Sequence, residues 1–336
     1  LRDEIQAEIS PALAAHNDQI YLDQTLFARI KSLYDNREDL QLNSEDAWLL
    51  EKYYQDFEHA GANLSESART RLMEINTELS KLQTEFGKRV IADTNDLGVV
   101  VDSVGELAGL SDNEIAAASA AATARGLQGK WLLGMVNFTG NPLLGSLENR
   151  ELREKVMRAS LVKANRDNEN DTKHVLVQMA KLRAERAKLF GKRTHAEHVI
   201  SRQTAGSPER VHEMLRKIAP AAVRNAKLEA EQLQAVANAE GADISLASWD
   251  WDFYADRVRL AKYNVDTSAM RPYFELERVL RDGVFFAANK LYGLEFTERP
   301  DLEGYHPEAR VWEVTRDGEK WGLYIGDFYT RDSKHG

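Results

Sequence analysis

Between Ser65 and about Ile91 the apolar residues Ala68, Leu72, Ile75, Leu79, Leu82 and Phe86 recur in alternating steps of four and three. That spacing lines them along one face of an α-helix, while Glu, Lys and Arg occupy the opposite face. A helix of this length cannot bury its stripe alone, so other helices must be laid against it. Ser65 and Ser67 stand where a hydroxyl accepts from the free N–H groups of a first turn. A dimerising coiled coil would need sustained heptads with matched flanking charges. The stripe reads instead as one partner of a long antiparallel helical hairpin.

A second helix start is written at Ser207-Pro208-Glu209. Ser caps, Pro takes the first helical position where its missing N–H costs nothing, and Glu favours the positive helix end. The pattern continues through Val211, Leu215 and Ile218, predicts a kink at Pro220, and resumes with Val223, Ala226 and Leu233 towards Gly241. Further helices are predicted over roughly 3–15, 24–35, 44–59, 112–124, 148–165, 170–190 and 272–291. Strand signals are few. Leu97 to Val104 is rich in β-branched residues, and Lys130 to Phe138 leads into a turn at Gly140-Asn141-Pro142. A hairpin is predicted over Glu308 to Tyr329, with Val311 to Val314, a turn at Arg316-Asp317-Gly318, and Trp321 to Phe328. The fold class is mainly α: a large helical body with a small β-hairpin or sheet near the C-terminus.

A chain of 336 residues exceeds the usual size of one hydrophobic core, which predicts two lobes. We place the division at 1–205 and 206–336. The net charge of −10 argues against nucleic acid as a partner, because phosphate binding needs clustered Lys and Arg. No apolar run is long enough to cross a bilayer, and the first residues read as the interior of a polar helix. The chain has no cysteine, which excludes disulfides, thiolate catalysis and Cys-based zinc sites from these residues.

Most catalytic signatures are absent. No G-x-G-x-x-G, P-loop or G-x-S-x-G occurs. A helical His-Glu-x-x-His sets two imidazoles one turn apart to grip zinc beside a Glu base. His212-Glu213 opens that pattern, but Arg216 takes the second His position, and His212 reads as a surface residue. His195-Ala196-Glu197-His198 has a metal-compatible spacing if helical, without a third ligand near it. Two clusters remain. Trp249-Asp250-Trp251-Asp252-Phe253-Tyr254 reads either as a ligand groove or as a helix start capped by Asp250 with its aromatics in the core. At the C-terminal end, strand alternation sets Asp327, Tyr329 and Arg331 on one face with Lys334 close behind; here the plain reading is a structural Asp–Arg pair.

The chain resembles the thimet-oligopeptidase-like zinc metallopeptidases, and among them the bacterial peptidyl-dipeptidase (dipeptidyl carboxypeptidase) branch. The resemblance spans nearly all residues. It rests on Tyr21-Leu22 with Leu26-Phe27-Ala28-Arg29, on Leu82-Gln83-Thr84-Glu85-Phe86, on Leu147-Glu148-Asn149-Arg150-Glu151-Leu152-Arg153, and on Leu182 to Gly191. It continues through Trp249-Asp250-Trp251, Tyr273-Phe274-Glu275-Leu276, Leu291 to Phe296, and Asp327-x-Tyr329-x-Arg331-x-x-Lys334.

The resemblance implies a helical ellipsoid split by a deep cleft. One zinc ion is held there by two His and a Glu, and short peptides lose C-terminal dipeptides. A bacterial, cytoplasmic protein is expected. No catalytic or metal residue of that family falls on a position of this chain, so its zinc helix is expected beyond Gly336, in a missing C-terminal catalytic segment. The chain by itself is expected to be inactive, to bind no zinc natively and to self-associate through uncovered apolar faces. Trp249, Asp250, Asp327, Tyr329, Arg331 and Lys334 carry over only as residues supporting or flanking the cleft. The alternative is a non-catalytic helical module that binds peptides or serves as a scaffold.

Overall fold

The computed structural model describes residues 2–135, 142–265, 267–331 and 333–334. The helices run α1 (Arg2–Tyr21), α2 (Gln24–Asp35), α3 (Ser44–Ala60), α4 (Glu66–Asp96), α5 (Asp112–Ala124), α6 (Arg150–Leu161) and α7 (Lys173–Leu189). They continue as α8 (His195–Ile200), α9 (Pro208–Ala239), α10 (Trp251–Tyr263), α11 (Thr267–Met270), α12 (Leu276–Arg278) and α13 (Phe286–Tyr292). Among the described residues, short strands join them: β1 (Val99–Val101), β2 (Trp131–Leu133), β3 (Leu294–Glu298), β4 (Arg310–Arg316) and β5 (Glu319–Gly326). The mainly α fold with a small C-terminal sheet is therefore found as expected.

The chain forms two compact units interleaved along the sequence. One comprises residues 1–97 and 161–228, the other 98–160 and 229–336. These contact units are a different partition from the lobe division at 205 and 206.

In the first unit the stripe on α4 does what its spacing requires. Ile75, Leu79 and Leu82 are buried against Val175, Met179 and Leu182 of α7, with Phe86 and Leu189 at the margin. Each such side chain stabilises by about 1.5–3 kcal/mol on burial. The Ser65 hydroxyl, which accepts from Ala68 N–H at 3.3 Å, contributes about 1 kcal/mol. Packing, rather than the cap, holds α4. A smaller core joins Phe27 of α2 to Phe57 of α3 and Ala62. Ser207 caps α9 through Arg210 N–H at 3.3 Å, and Pro220 lies inside that helix without ending it. Leu215, Ile218 and Val223 of α9 are about half exposed.

In the second unit β1 and β2 pair antiparallel, with Val99 opposite Leu133 and Val101 opposite Trp131. The predicted strand to Phe138 and its turn fall partly on residues 136–141, outside the described residues. Leu233 and Ala237 at the end of α9 pack on Phe253 and Tyr254 of α10. Strands β3, β4 and β5 form an antiparallel sheet in that order. Asp317 and Gly318 link β4 to β5 with φ of 53° and 80°, the left-handed pair that a tight hairpin turn demands. On one face Phe296, Trp312 and Tyr324 gather around Phe285; on the other, Trp321, Leu323 and Ile325 are exposed.

Three expectations need correction. The helix predicted over 272–291 is a broken series: a 3-10 turn at Arg271–Phe274, α12, a π-helical stretch at Val279–Phe285, then α13. Pro272 disfavours helix in the residue before it, and Glu275 starts a new helix by accepting from Glu277 and Arg278 N–H. The helix predicted to 165 ends at Leu161, followed by left-handed Ala164 and Asp167, both at φ 54°. Strand β5 ends at Gly326, so Asp327, Tyr329 and Arg331 do not alternate along a strand. Strand β3 was not foreseen.

Candidate functional site

Asp250 sits where a 3-10 turn, Ser248–Asp250, meets α10, and it is fully buried. Its side chain does not cap α10. It turns back instead and accepts from Ala247 N–H at 3.0 Å. Arg150 and Arg153 stand three residues apart on α6, on one helical face, and both reach the same carboxylate. Arg150 donates through Nε and Nη2 at 3.0 and 2.8 Å. Arg153 donates through Nη2 at 2.9 Å and sends Nη1 to the carbonyls of Leu147 and Glu148. Burial pushes the Asp250 carboxyl up, but the bonds from Arg150, Arg153 and Ala247 outweigh it, and the group titrates below its ordinary range.

The aromatics of this cluster divide between the two readings of the sequence. Phe253 and Tyr254 are core residues, and Phe253 lies between the guanidinium groups of Arg153 and Arg257 at 4.0 and 3.6 Å. Trp249 lies beside Arg150 and Arg158 at 5.7 and 5.2 Å. Trp251 lines a shallow groove of about 600 Å³ with Gln234, Asn238 and Leu246.

The second cluster forms without the strand expected for it. Arg331 grips Asp327 through both terminal nitrogens, at 2.7 and 2.8 Å. Lys334 Nζ donates to the carbonyls of Asp327 and Tyr329. The Tyr305 hydroxyl, which the sequence did not point to, donates to Asp327 Oδ2 at 2.7 Å. Arg331, then Tyr305, hold the Asp327 carboxyl far below the usual carboxylate range. Tyr329 enters this network through its carbonyl, and its side chain is exposed. Among the described residues no hydrogen bond or ion pair joins the two clusters.

Arg150 and Arg153 are the residues whose role the sequence reading missed. Their signal was the three-residue spacing within Asn149-Arg150-Glu151-Leu152-Arg153, which becomes informative only once Asp250 is brought to it. Both aspartates are ionised and engaged by cations. A carboxylate with a depressed pKa is a weak base, so neither suits proton abstraction near neutral pH.

The residues present do not fit a catalytic zinc ion. Among the described residues no group of three or more His, Asp or Glu side chains is arranged to hold a metal, and the sequence contains no His-Glu-x-x-His. In α8 the Glu197 carboxylate is taken by Arg193. No hydrolytic step is built from these side chains. No helix among the described residues is long and apolar enough to cross a membrane.

Comparison with known proteins places this geometry in context. The dipeptidyl carboxypeptidase of Escherichia coli (strain K12) is 39% identical over 338 residues, covering 99% of this chain and 50% of the relative. The dipeptidyl carboxypeptidase of Salmonella typhimurium is 37% identical with the same coverage. Oligopeptidase A of E. coli is 28% identical, over 99% of this chain and 49% of its own length. The chain thus spans about half the length of the curated relatives it matches. The model described as peptidase family M3 matches residues 143–336, a stretch that contains both aspartate clusters with all their partners. Covering more than half of the chain, that match shows that the chain belongs to peptidase family M3.

Proposed function

We propose that these 336 residues serve a zinc-dependent peptidyl-dipeptidase that removes C-terminal dipeptides from short peptides, and that they supply its helical framework rather than its metal. The observation that carries this reading is the 39% identity to a dipeptidyl carboxypeptidase across 99% of the chain. Water activation at neutral pH needs a metal with an open coordination position, and among the described residues no side chains are arranged to hold one. Under this proposal the ligands come from the part of the relatives' length that this chain does not cover. In this reading 1–205 belongs to a helical lobe and 206–336 to the start of a catalytic lobe, in a cytoplasmic protein. Trp249 and Asp250 fix α10 against α6. Asp327, Arg331 and Lys334, with the backbone of Tyr329, fix the segment after β5 at the edge of a peptide cleft.

The test is a reconstitution. The 336-residue chain with added zinc is expected to leave a blocked tripeptide or tetrapeptide intact. Joined to the segment aligned with the other half of the E. coli dipeptidyl carboxypeptidase, it is expected to release dipeptides in a chelator-sensitive manner. Chelator-sensitive hydrolysis by the 336 residues alone would refute the division of labour. Peptide binding without hydrolysis in the joined protein would favour a non-catalytic binding module.

The same reading implies uncovered apolar surface. Leu215, Ile218 and Val223 of α9 and Trp321, Leu323 and Ile325 of β5 are exposed, and such surface promotes association. Sedimentation of the 336-residue chain should show mass rising with concentration, which a constant monomer mass would contradict.

A further inference from the structure

The first unit holds a separate concentration of titratable groups. His59 near the end of α3 and His198 in α8 stack face to face, with parallel rings 4.1 Å apart. Phe190 stacks on His198 at 4.3 Å. His198 is only 6% exposed. Its hydrogen bonding among the described residues is through its backbone, Ser201 Oγ donating to the carbonyl at 2.7 Å. Among the described residues neither imidazole is held by a side-chain hydrogen bond. Their ring nitrogens are not among the sealed, unpaired buried atoms, so both rings are open to the space they line.

Both rings line a cavity of about 760 Å³. Lys52, Lys192 and Arg202 are the cations on its wall, and Leu64, Leu189 and Phe190 its apolar part. Two carboxylates stand against these cations, Glu58 on the wall itself and Asp56 beside it. Asp56 pairs with Arg202 and lies 3.7 Å from Lys52. Glu58 accepts from Tyr54 and Asn63. Lys192 has no ion-pair partner among the described residues. From α7, the charge of Arg186 acts on both imidazoles and that of Arg183 on His195, while Asp18 of α1 acts on Arg186. Lys192 leaves positive charge in slight excess around an open depression.

We propose that this cavity binds a small multivalent oxyanion, a phosphate or a dicarboxylate, between Lys192 and the His59–His198 pair, and that binding draws a proton onto the pair. Without an anion, protonating one ring sets a cation against a stacked imidazole and the charge of Arg186, while burial already disfavours the charged form. Burial first, and then His59 and Arg186, push His198 down to about 4; His59 is lowered by burial, Arg202 and Arg186. An oxyanion reverses this balance. It supplies the counter-charge and acceptors that turn an imidazolium into a two-fold donor. The apolar wall admits the carbon skeleton of a small organic acid or phosphate ester.

Titration calorimetry on the 336-residue chain, with sodium phosphate and separately with succinate, tests this against chloride at equal ionic strength. Running each in buffers of different ionisation enthalpy counts protons. Saturable binding with proton uptake is expected, about tenfold tighter at pH 5.5 than at pH 7.5, since protonation of the pair is linked to binding. The tighter of the two ligands identifies the headgroup as phosphate or carboxylate. Lys192→Glu should weaken binding at least tenfold with an unchanged far-UV spectrum, and His198→Phe, which keeps a stacked ring, should abolish proton uptake. No saturable heat with either ligand, unchanged affinity in a folded Lys192→Glu protein, or binding without proton uptake would each overturn the proposal.

Discussion

Asp93 and Asp250 are fully buried carboxylates, one in each unit, and both accept from a backbone N–H and from arginine. They differ in what happens to the counter-charge. Arg166, which serves Asp93 through Nε at 3.0 Å, is 26% exposed and also reaches Asp96. Arg153, which serves Asp250, is 2% exposed and spends its other terminal nitrogen on carbonyls of Leu147 and Glu148. The first pair can fall back on water and a second carboxylate. In the second, losing Asp250 strands the buried Arg153 guanidinium, whereas Arg150, 38% exposed, can turn to water.

The largest effect should therefore come from Asp250→Ala. Removing one member of a buried pair leaves an uncompensated charge, at a cost of about 3–5 kcal/mol. Asp93→Ala should cost about 1–3 kcal/mol, because Arg166 keeps Asp96 and solvent while Ala164 N–H and Asn168 lose their acceptor. Urea midpoints of the two variants measure the difference directly. Equal losses would show that Arg153 finds other partners and that the closed network is no more demanding than the open one.

How much of this was readable beforehand follows from the range of each interaction. The α4 stripe was legible because a repeat of 3.6 residues is written locally, and Leu72, Ile75, Leu79 and Leu82 are indeed buried. The Ser65 and Ser207 caps were legible for the same reason. The broken helix at 272–291 was not, because π-helical Val279–Phe285 keeps the helical dihedrals and nearly the helical pattern. The Asp250 site was half legible. The aromatic–carboxylate cluster stood out, but its arginines lie about one hundred residues earlier in the chain. The Asp327–Arg331 pair survived a wrong local argument, since four residues of irregular chain bring the two together as readily as a strand would.

Acid titration separates the units by a smaller amount. Both buried carboxyls have folded pKa values below the unfolded value of about 3.9. Their stabilisation is thus complete above that value and is lost as pH falls through it towards the folded ones. The first unit carries an earlier loss. His198 is pushed down to about 4, so between pH of about 6.5 and 4 the unfolded chain binds a proton that the folded chain does not. Stability must fall with pH across that window. Hydrogen exchange at pH 4.5 should therefore show α3 and α8 loosened relative to pH 7 while α10 remains protected, and His198→Phe should remove the difference. Equal loosening of α10 would mean that the two units unfold as one.

The smallest effect is expected at the third aspartate. Arg331→Ala removes the two-pronged grip on Asp327 but leaves the Tyr305 hydroxyl and Lys334 beside the same carboxylate. The Asp327 side chain is 7% exposed behind Arg331, but Tyr305 beside it is 70% exposed, so truncating Arg331 opens the vacated acceptor positions to water. No buried cation is stranded, unlike at Asp250. The thermal midpoint should move less than in Asp93→Ala, with faster amide exchange confined to residues after Gly326. If the midpoint instead drops as far as in Asp250→Ala, then this segment braces the sheet as a structural member. The contrast between closed and open networks would then fail as a guide to which aspartates hold the fold.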